Sequence, residues 1–185
     1  GGLLHVLNHS LFKSLLFYNA GSVYHAAHTR NIEHLGGLMK KMPYTAILFL
    51  LGSLAICGLP PFNGFISEYL IYIGMFKSLS IANFYQSILI LGSIVCLALI
   101  GGLAIFCFTK AFGIVFLGES RTQKALMAKE VSKDMIYPQF ITAIFIVLIG
   151  IAPVFFVTPV FAIISDSFNL PHVAPVEGNT IKNLS

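Results

Sequence analysis

Charged residues are scarce in this sequence. Lys, Arg, Asp and Glu make up 10% of its 185 residues, whereas an average soluble domain carries about 25%. Hydrophobic residues make up 57%, and the mean hydropathy is +0.87. The net charge of +4 does not indicate a nucleic-acid partner, because the positive residues mostly flank apolar segments, where they set loop topology. The composition predicts an integral membrane protein whose surroundings are a lipid bilayer.

Tryptophan is absent and cysteine is rare. Cys57, Cys96 and Cys107 lie inside apolar stretches with no C-x-x-C spacing, so the sequence indicates neither a zinc site nor a disulfide framework. We expect no bound metal and no cofactor. The chain also starts at Gly1, without Met and without a charged region followed by a cleavage site. We therefore expect a piece of a longer protein.

Long apolar runs dominate what is present. No strand-like alternation competes with them, so the predicted fold class is an all-α integral membrane protein. A helix needs about 20 residues to cross a bilayer. Four blocks meet this length, at about 1–27, 43–76, 84–117 and 136–164. Pro153 and Pro159 should kink the fourth block, and residues 165–185 are expected to form a polar, poorly ordered tail.

The second block contains a strong helix breaker. Pro60 and Pro61 cannot donate backbone N–H groups and disfavour helix at the preceding residue. Gly64 then permits backbone geometry that other residues resist. The sequence therefore predicts an interruption near Leu59 to Gly64, shortly before Glu68.

Loop charges indicate how often the second block crosses the membrane. If it crosses once, loops 29–42 and 118–135 share one side and hold seven Lys and Arg residues, against Lys77 and Lys182 opposite. If it crosses twice, the division is five against four and the bias vanishes. The positive-inside rule therefore favours one interrupted span, with both loops cytoplasmic.

Three charged side chains fall well inside the blocks: Lys13, Glu68 and Lys110. Each costs about 2.5–3.5 kcal/mol at a membrane helix centre, so such residues usually face a bundle interior and carry function. Glu68 is the leading candidate, and a structural ion pair that holds the broken helix is its alternative. Lys110 lies near the end of the third block, so conduction and snorkelling to the membrane edge remain equally open.

Lys13 ends a regular array with His5 and His9. Residues four apart lie about 6 Å apart along a helix and about 40° apart around it, so the three line one face. Groups that exchange protons, with Asn8 and Ser10 nearby to hold water, suit a proton wire. A buried histidine that only packs helices is the plainer alternative, which the array disfavours. Haem ligation is a rival that usually draws its ligands from facing helices.

His25 and His28 near the end of the first block are expected to be interfacial, with a proton exit as the alternative.

Four motifs resemble those of the proton-conducting antiporter-like membrane subunits. This family joins the large membrane subunits of respiratory complex I, the Mrp-type sodium/proton antiporters and the membrane subunits of group 4 nickel–iron hydrogenases. The motifs are His5-x-x-x-His9-x-x-x-Lys13-x-x-Leu16-Phe17, Ala20-Gly21-Ser22-Val23, Gly36-Gly37-Leu38 and Leu59-Pro60-Pro61-Phe62-Asn63-Gly64-Phe65-x-Ser67-Glu68. Residues 108–118 and 28–33 resemble the hydrogenase 4 component B and formate hydrogenlyase branch.

The resemblance implies a fold of about fourteen helices in two inverted repeats, of which this chain supplies four. Lys13 resembles the central lysine of the family, and Glu68 resembles the terminal conducting residue, which is lysine in some members. Protons would pass along His5, His9, Lys13 and Glu68, with Lys110 as a further member.

The expected role is a proton-translocating subunit of an oxidoreductase complex, without catalytic chemistry of its own. Its partners would be other membrane subunits and the missing N-terminal helices, in a bacterial or archaeal cell membrane. A sodium/proton antiporter, or a structural subunit that holds quinone or haem near His5 and His9, are the alternatives.

Overall fold

The computed structural model describes residues 1–167, and every regular element within them is helical. The helices are α1 (Gly2–Ala27), α2 (Pro43–Ile56), α3 (Asn63–Leu79), α4 (Phe84–Phe116), α5 (Gln123–Met127), α6 (Lys133–Ile151) and α7 (Val154–Ser167), with short 3-10 turns at Ile32–His34 and Leu38–Lys40. Two of them, α4 and α6, are long and apolar enough to cross a membrane, and α2 and α7 are shorter apolar helices. The predicted all-α fold class is confirmed.

Helices α2 and α3 follow one another along α1 and run antiparallel to it. Their contacts advance steadily toward the start of α1. The C-terminal part of α1 shares a core cluster with Met42 and Ala46, and from there the partners are Leu16 with Gly52, Asn8 with Asn63, His5 with Ser67 and Gly1 with Ile71. If α2 and α3 each crossed the membrane separately, α3 would run back beside α2, and its contacts would return toward the C-terminal end of α1. The second block is therefore one interrupted span, as the loop charges predicted.

The interruption is packed tightly on both sides. Helix α2 ends at Ile56, and Gly58 has a left-handed backbone with φ of 65°. A Cβ atom on Gly64 would overlap the carbonyl oxygen of Ala55, and one on Gly150 of α6 would overlap the carbonyl oxygen of Pro61. Glycine at these positions lets the backbone of the break approach the last turn of α2 and the end of α6. Pro60 and Pro61 lie in the break, and Gly64 is the second residue of α3.

The two basic loops meet at one end of the bundle. The Gly37 amide donates to the Leu117 carbonyl over 2.9 Å, and the Thr122 hydroxyl donates to the His34 carbonyl over 2.7 Å. Glu130 in the second loop accepts hydrogen bonds at the start of α2, from the Tyr44 and Thr45 amides over 2.9 and 3.3 Å and from the Thr45 hydroxyl over 2.6 Å. The second loop thus caps the N-terminus of the interrupted span.

The fourth block forms two helices. Ala152, the residue before Pro153, leaves the helical conformation with φ of −122° and ψ of 58°, so α6 ends and α7 begins where a kink was expected. Pro159 lies inside α7, and Pro138 lies inside α6. Helix α7 includes Ser165 and continues to Ser167, while the rest of the predicted tail lies outside the described residues.

Candidate functional site

The polar row predicted on α1 is present on one side of the helix. The ring centres of His5 and His9 lie 6.2 Å apart, and both rings meet the buried Phe12 edge-on, at 6.3 and 5.3 Å. A direct hydrogen bond of about 3 Å between the two imidazoles is impossible at this spacing, so a proton passing between them needs a bridging water. Within the described chain, His5 and Lys13 are half-buried and His9 is exposed.

Two sets of hydrogen bonds hold α3 against this row. The Asn8 amide donates to the Asn63 carbonyl over 2.7 Å, and the Asn63 amide donates to the Asn8 side-chain oxygen over 3.2 Å. One turn along, Nδ1 of His5 lies 3.0 Å from the Ser67 hydroxyl. Asn8, Asn63 and Ser67 are all 0% exposed. These buried polar contacts fix the start of α3 relative to the row on α1.

The Glu68 side chain lies against the interruption. In a helix, side chains lean toward the N-terminus, so the half-buried Glu68 reaches back from α3 to Gly58. A Cβ atom on Gly58 would overlap its carboxylate. The break therefore forms the surface on which the carboxylate rests.

Lys13 lies at the level of the same break. On α1 it falls between Asn8, which bonds Asn63, and Leu16, which packs on Gly52. Residues 53–62, which are the last turn of α2 and the break, lie between those two contacts. Lys13 is thus level with the end of α2 and the break, although no salt bridge within 4.0 Å joins Lys13 and Glu68 in the described chain.

Lys110 does not lie with the polar row on α1. It is exposed on α4, between Phe108 and Phe112, whose rings lie 6.4 and 6.5 Å from the ring of Phe49 on α2. This places Lys110 level with Phe49, nearer to the basic loops than Lys13 is. Its conduction and snorkelling alternatives both stay predictions.

His25 and His28 lie at the loop end of α1, both exposed, with ring centres 6.5 Å apart. Their interfacial place and the alternative of a proton exit both stay predictions. Within residues 1–167, no cluster of three or more His, Cys, Asp or Glu side chains has the proximity that a metal ion requires. His5 and His9 share α1 and do not face each other across two helices, the usual arrangement of haem ligands.

Sequence patterns did not single out Gly58, Asn63 or Ser67 as site residues. A signal for Asn63 and Ser67 was available, because both are polar, lie two and six residues after Pro61, and are about one helical turn apart. Nothing in the local sequence indicated that Gly58 would support a carboxylate ten residues away.

A line of ionisable and amide side chains beside a broken helix, within an apolar helical bundle, is typical of membrane proteins that move ions. The comparison with protein families is consistent with this class. The model of the family described as NADH:quinone oxidoreductase/Mrp antiporter, transmembrane, matches residues 1–101. The chain belongs to this family, and the resemblance drawn from its motifs is confirmed.

Three curated relatives illustrate the range of the family. The chain is 41% identical over 152 residues to hydrogenase-4 component B and 48% identical over 125 residues to formate hydrogenlyase subunit 3, both of Escherichia coli (strain K12). It is 34% identical over 181 residues to Na(+)/H(+) antiporter subunit A1 of Staphylococcus saprophyticus. These matches cover 82%, 68% and 96% of the chain, but only 23%, 21% and 21% of the relatives. The chain thus spans less than a quarter of their length.

Proposed function

We propose that this chain is part of a proton-translocating membrane subunit of a redox-driven complex, such as a membrane-bound hydrogenase or a complex I-like dehydrogenase. The observation that carries the proposal is the polar row on α1, which buried hydrogen bonds hold against the broken helix where the Glu68 carboxylate lies. Ionisable side chains at membrane depth are costly and mark ion pathways.

Each member of the row has a distinct part in this proposal. His5 and His9 pass protons through bridging water, because their rings are too far apart for a direct bond. Lys13 holds a proton near the level of the break, and Glu68, whose carboxylate rests on Gly58 in the break, accepts or releases one. Lys110, which lies nearer to the basic loops, is a further conducting group of the pathway.

The chain contributes this pathway and no catalytic chemistry. Its energy source is electron transfer in partner subunits. Two relatives of the chain itself are named hydrogenase-4 component B and formate hydrogenlyase subunit 3. The remaining helices of the same protein and the neighbouring membrane subunits complete the route. We place loops 29–42 and 118–135 on the cytoplasmic side of a bacterial or archaeal cell membrane, since they share one end of the bundle and carry most of the Lys and Arg residues.

The test is Glu68→Gln in the complete complex, reconstituted in sealed vesicles. We expect electron transfer to continue while proton uptake per electron falls severalfold, because the amide has the shape of the carboxyl group but cannot carry the proton. Glu33→Gln, which changes an exposed loop acid, is the matched control. Pumping by Glu68→Gln at the wild-type ratio would remove Glu68 from the pathway.

A sodium/proton antiporter is the second candidate, favoured by the match to Na(+)/H(+) antiporter subunit A1 over 96% of the chain. In that case the same carboxylate would exchange sodium for protons. A sodium gradient imposed on vesicles without redox substrate separates the two functions. Proton movement driven by sodium alone would support the antiporter, and its absence together with redox-driven pumping would support the first proposal.

A further inference from the structure

We propose that Ser67 is a positioning residue for His5, which keeps the proton on Nδ1 and leaves Nε2 as the atom where His5 takes up and releases protons. This inference rests on the proposed function, in which His5 is part of the proton pathway. It assigns the direction from which a proton reaches the ring.

The hydrogen-bond geometry around Ser67 identifies the donor. The Ser67 oxygen lies 3.0 Å from Nδ1 of His5 and 3.0 Å from the Gly64 carbonyl oxygen. A carbonyl oxygen can only accept, so the single hydroxyl proton satisfies it when it points along α3. Nδ1 of His5 must then donate to the hydroxyl oxygen. If the Ser67 hydroxyl donated to Nδ1 instead, it would form that one hydrogen bond. The Ser67 oxygen and the Gly64 carbonyl oxygen would then face each other at 3.0 Å without a proton between them.

Burial strengthens this assignment. Ser67 is 0% exposed, so bulk water does not compete for the hydroxyl group. The mutual hydrogen bonds of Asn8 and Asn63 lie one turn away on the same pair of helices and hold the two backbones in register. The imidazole and the hydroxyl group therefore meet at a fixed separation, and the choice of tautomer does not depend on a mobile partner.

The same bond serves both charge states of the ring. A charged imidazole has protons on both nitrogens, and a neutral one retains whichever proton is held more firmly. The bond from Nδ1 to Ser67 persists in both states, so only the proton on Nε2 is exchanged. His5 can thus pass a proton without turning its ring, and the exchange takes place on the side away from α3, through water shared with the exposed His9.

The first measurement determines the tautomer directly. The complete complex, labelled with 15N-histidine and embedded in bilayers, is studied by magic-angle-spinning NMR, with the His5 signals assigned by their loss in His5→Gln. We expect a protonated Nδ1 and an unprotonated Nε2 in the neutral ring. Ser67→Ala should remove this preference, and Ser67→Thr, which retains the hydroxyl group, should restore it. A neutral ring with its proton on Nε2 would overturn the proposal.

Ser78→Ala is the matched control, because the Ser78 hydroxyl also donates to a carbonyl of its own helix, that of Gly74 over 2.9 Å, but forms no hydrogen bond with a histidine in the described chain. It should leave the His5 signals unchanged. A tautomer shift in this variant equal to that of Ser67→Ala would overturn the specific role of Ser67.

Proton pumping separates this inference from the proposed function. We expect Ser67→Ala to lower proton uptake per electron severalfold, with Ser67→Thr close to wild type. If the tautomer changes in Ser67→Ala while Ser67→Ala and His5→Gln both pump normally, the pathway through His5 is wrong and the tautomer assignment stands. If His5→Gln fails to pump but Ser67→Ala retains both tautomer and pumping, the role of Ser67 is wrong and the pathway stands.

Discussion

The carboxylate of Glu68 and the Cα of Gly58 are in such close contact that a methyl group on Gly58 would overlap the carboxylate. Gly58 also has a φ of 65°, a conformation that costs other residues about 1–2 kcal/mol. A glycine just beyond the end of α2 therefore limits where the Glu68 carboxylate of α3 can lie.

Gly58→Ala should displace the Glu68 side chain and lower proton uptake per electron severalfold. It should also lower the stability of the protein modestly. Gly74→Ala is the matched control, because Gly74 is also in the interrupted span but a Cβ atom there would meet no other atom within 4 Å. Pumping in vesicles is the measurement. Equal pumping by the two variants would show that the position of the carboxylate is not set by Gly58.

Gly150→Ala should separate α6 from the break, because its methyl group would overlap the Pro61 carbonyl oxygen. Overpacking of this kind costs about 1–3 kcal/mol, and a lower melting temperature of the purified complex should reveal it. Gly92→Ala on α4 has open space around its Cβ atom and should melt like the wild type. An unchanged melting temperature in Gly150→Ala would contradict the close packing of α6 on the break.

Glu130→Ala should loosen the start of α2, because it removes the acceptor for two backbone amides and the Thr45 hydroxyl. Loss of a helix cap costs about 0.5–2 kcal/mol. Faster hydrogen exchange at the first turn of α2 is the expected signature. Glu119→Ala, in the same loop, is the control and should leave the exchange of that turn unchanged.

Asn8→Leu should destabilise the contact between α1 and α3, since it leaves the buried Asn63 side-chain amide without its partner and removes the Asn8 hydrogen bond to the Asn63 carbonyl. Each buried group left unpaired costs about 1–3 kcal/mol. The double variant Asn8→Leu with Asn63→Leu should lose less stability than the sum of the two single variants, as a double-mutant cycle of thermal stability would show. Ser10→Ala removes only an exposed bond to its own helix and serves as the control. Strictly additive losses would rule out the coupling.

The features predicted correctly depend on local chemistry. Two prolines without N–H groups predict the interruption at Leu59 to Gly64, and helical spacing predicts the row from His5 to Lys13. The loop charges predict one crossing, because the positive-inside rule needs only the number of Lys and Arg residues in each loop and no knowledge of side-chain contacts.

The remaining features depend on residues far apart in the chain. Glu130 meets Tyr44 across 86 positions, and Asn8 meets Asn63 across 55. No periodicity or propensity encodes such a pair, since each partner alone is an ordinary polar residue in an apolar sequence. The break between α6 and α7 could be predicted only in part, because Pro153 indicated a local disturbance but not whether the helix would bend or end.

Helix α4 contains 33 residues, which correspond to about 50 Å at 1.5 Å per residue. The hydrocarbon core of a bilayer is about 30 Å thick, so the helix must tilt or extend into the headgroup region. Its aromatic side chains Phe108, Phe112 and Phe116 pack on Phe49 of α2. A thinner or thicker bilayer would change the inclination of α4, and this contact would transmit the change to the first half of the broken span. We therefore expect the first half of the broken span to respond to lipid chain length through this contact.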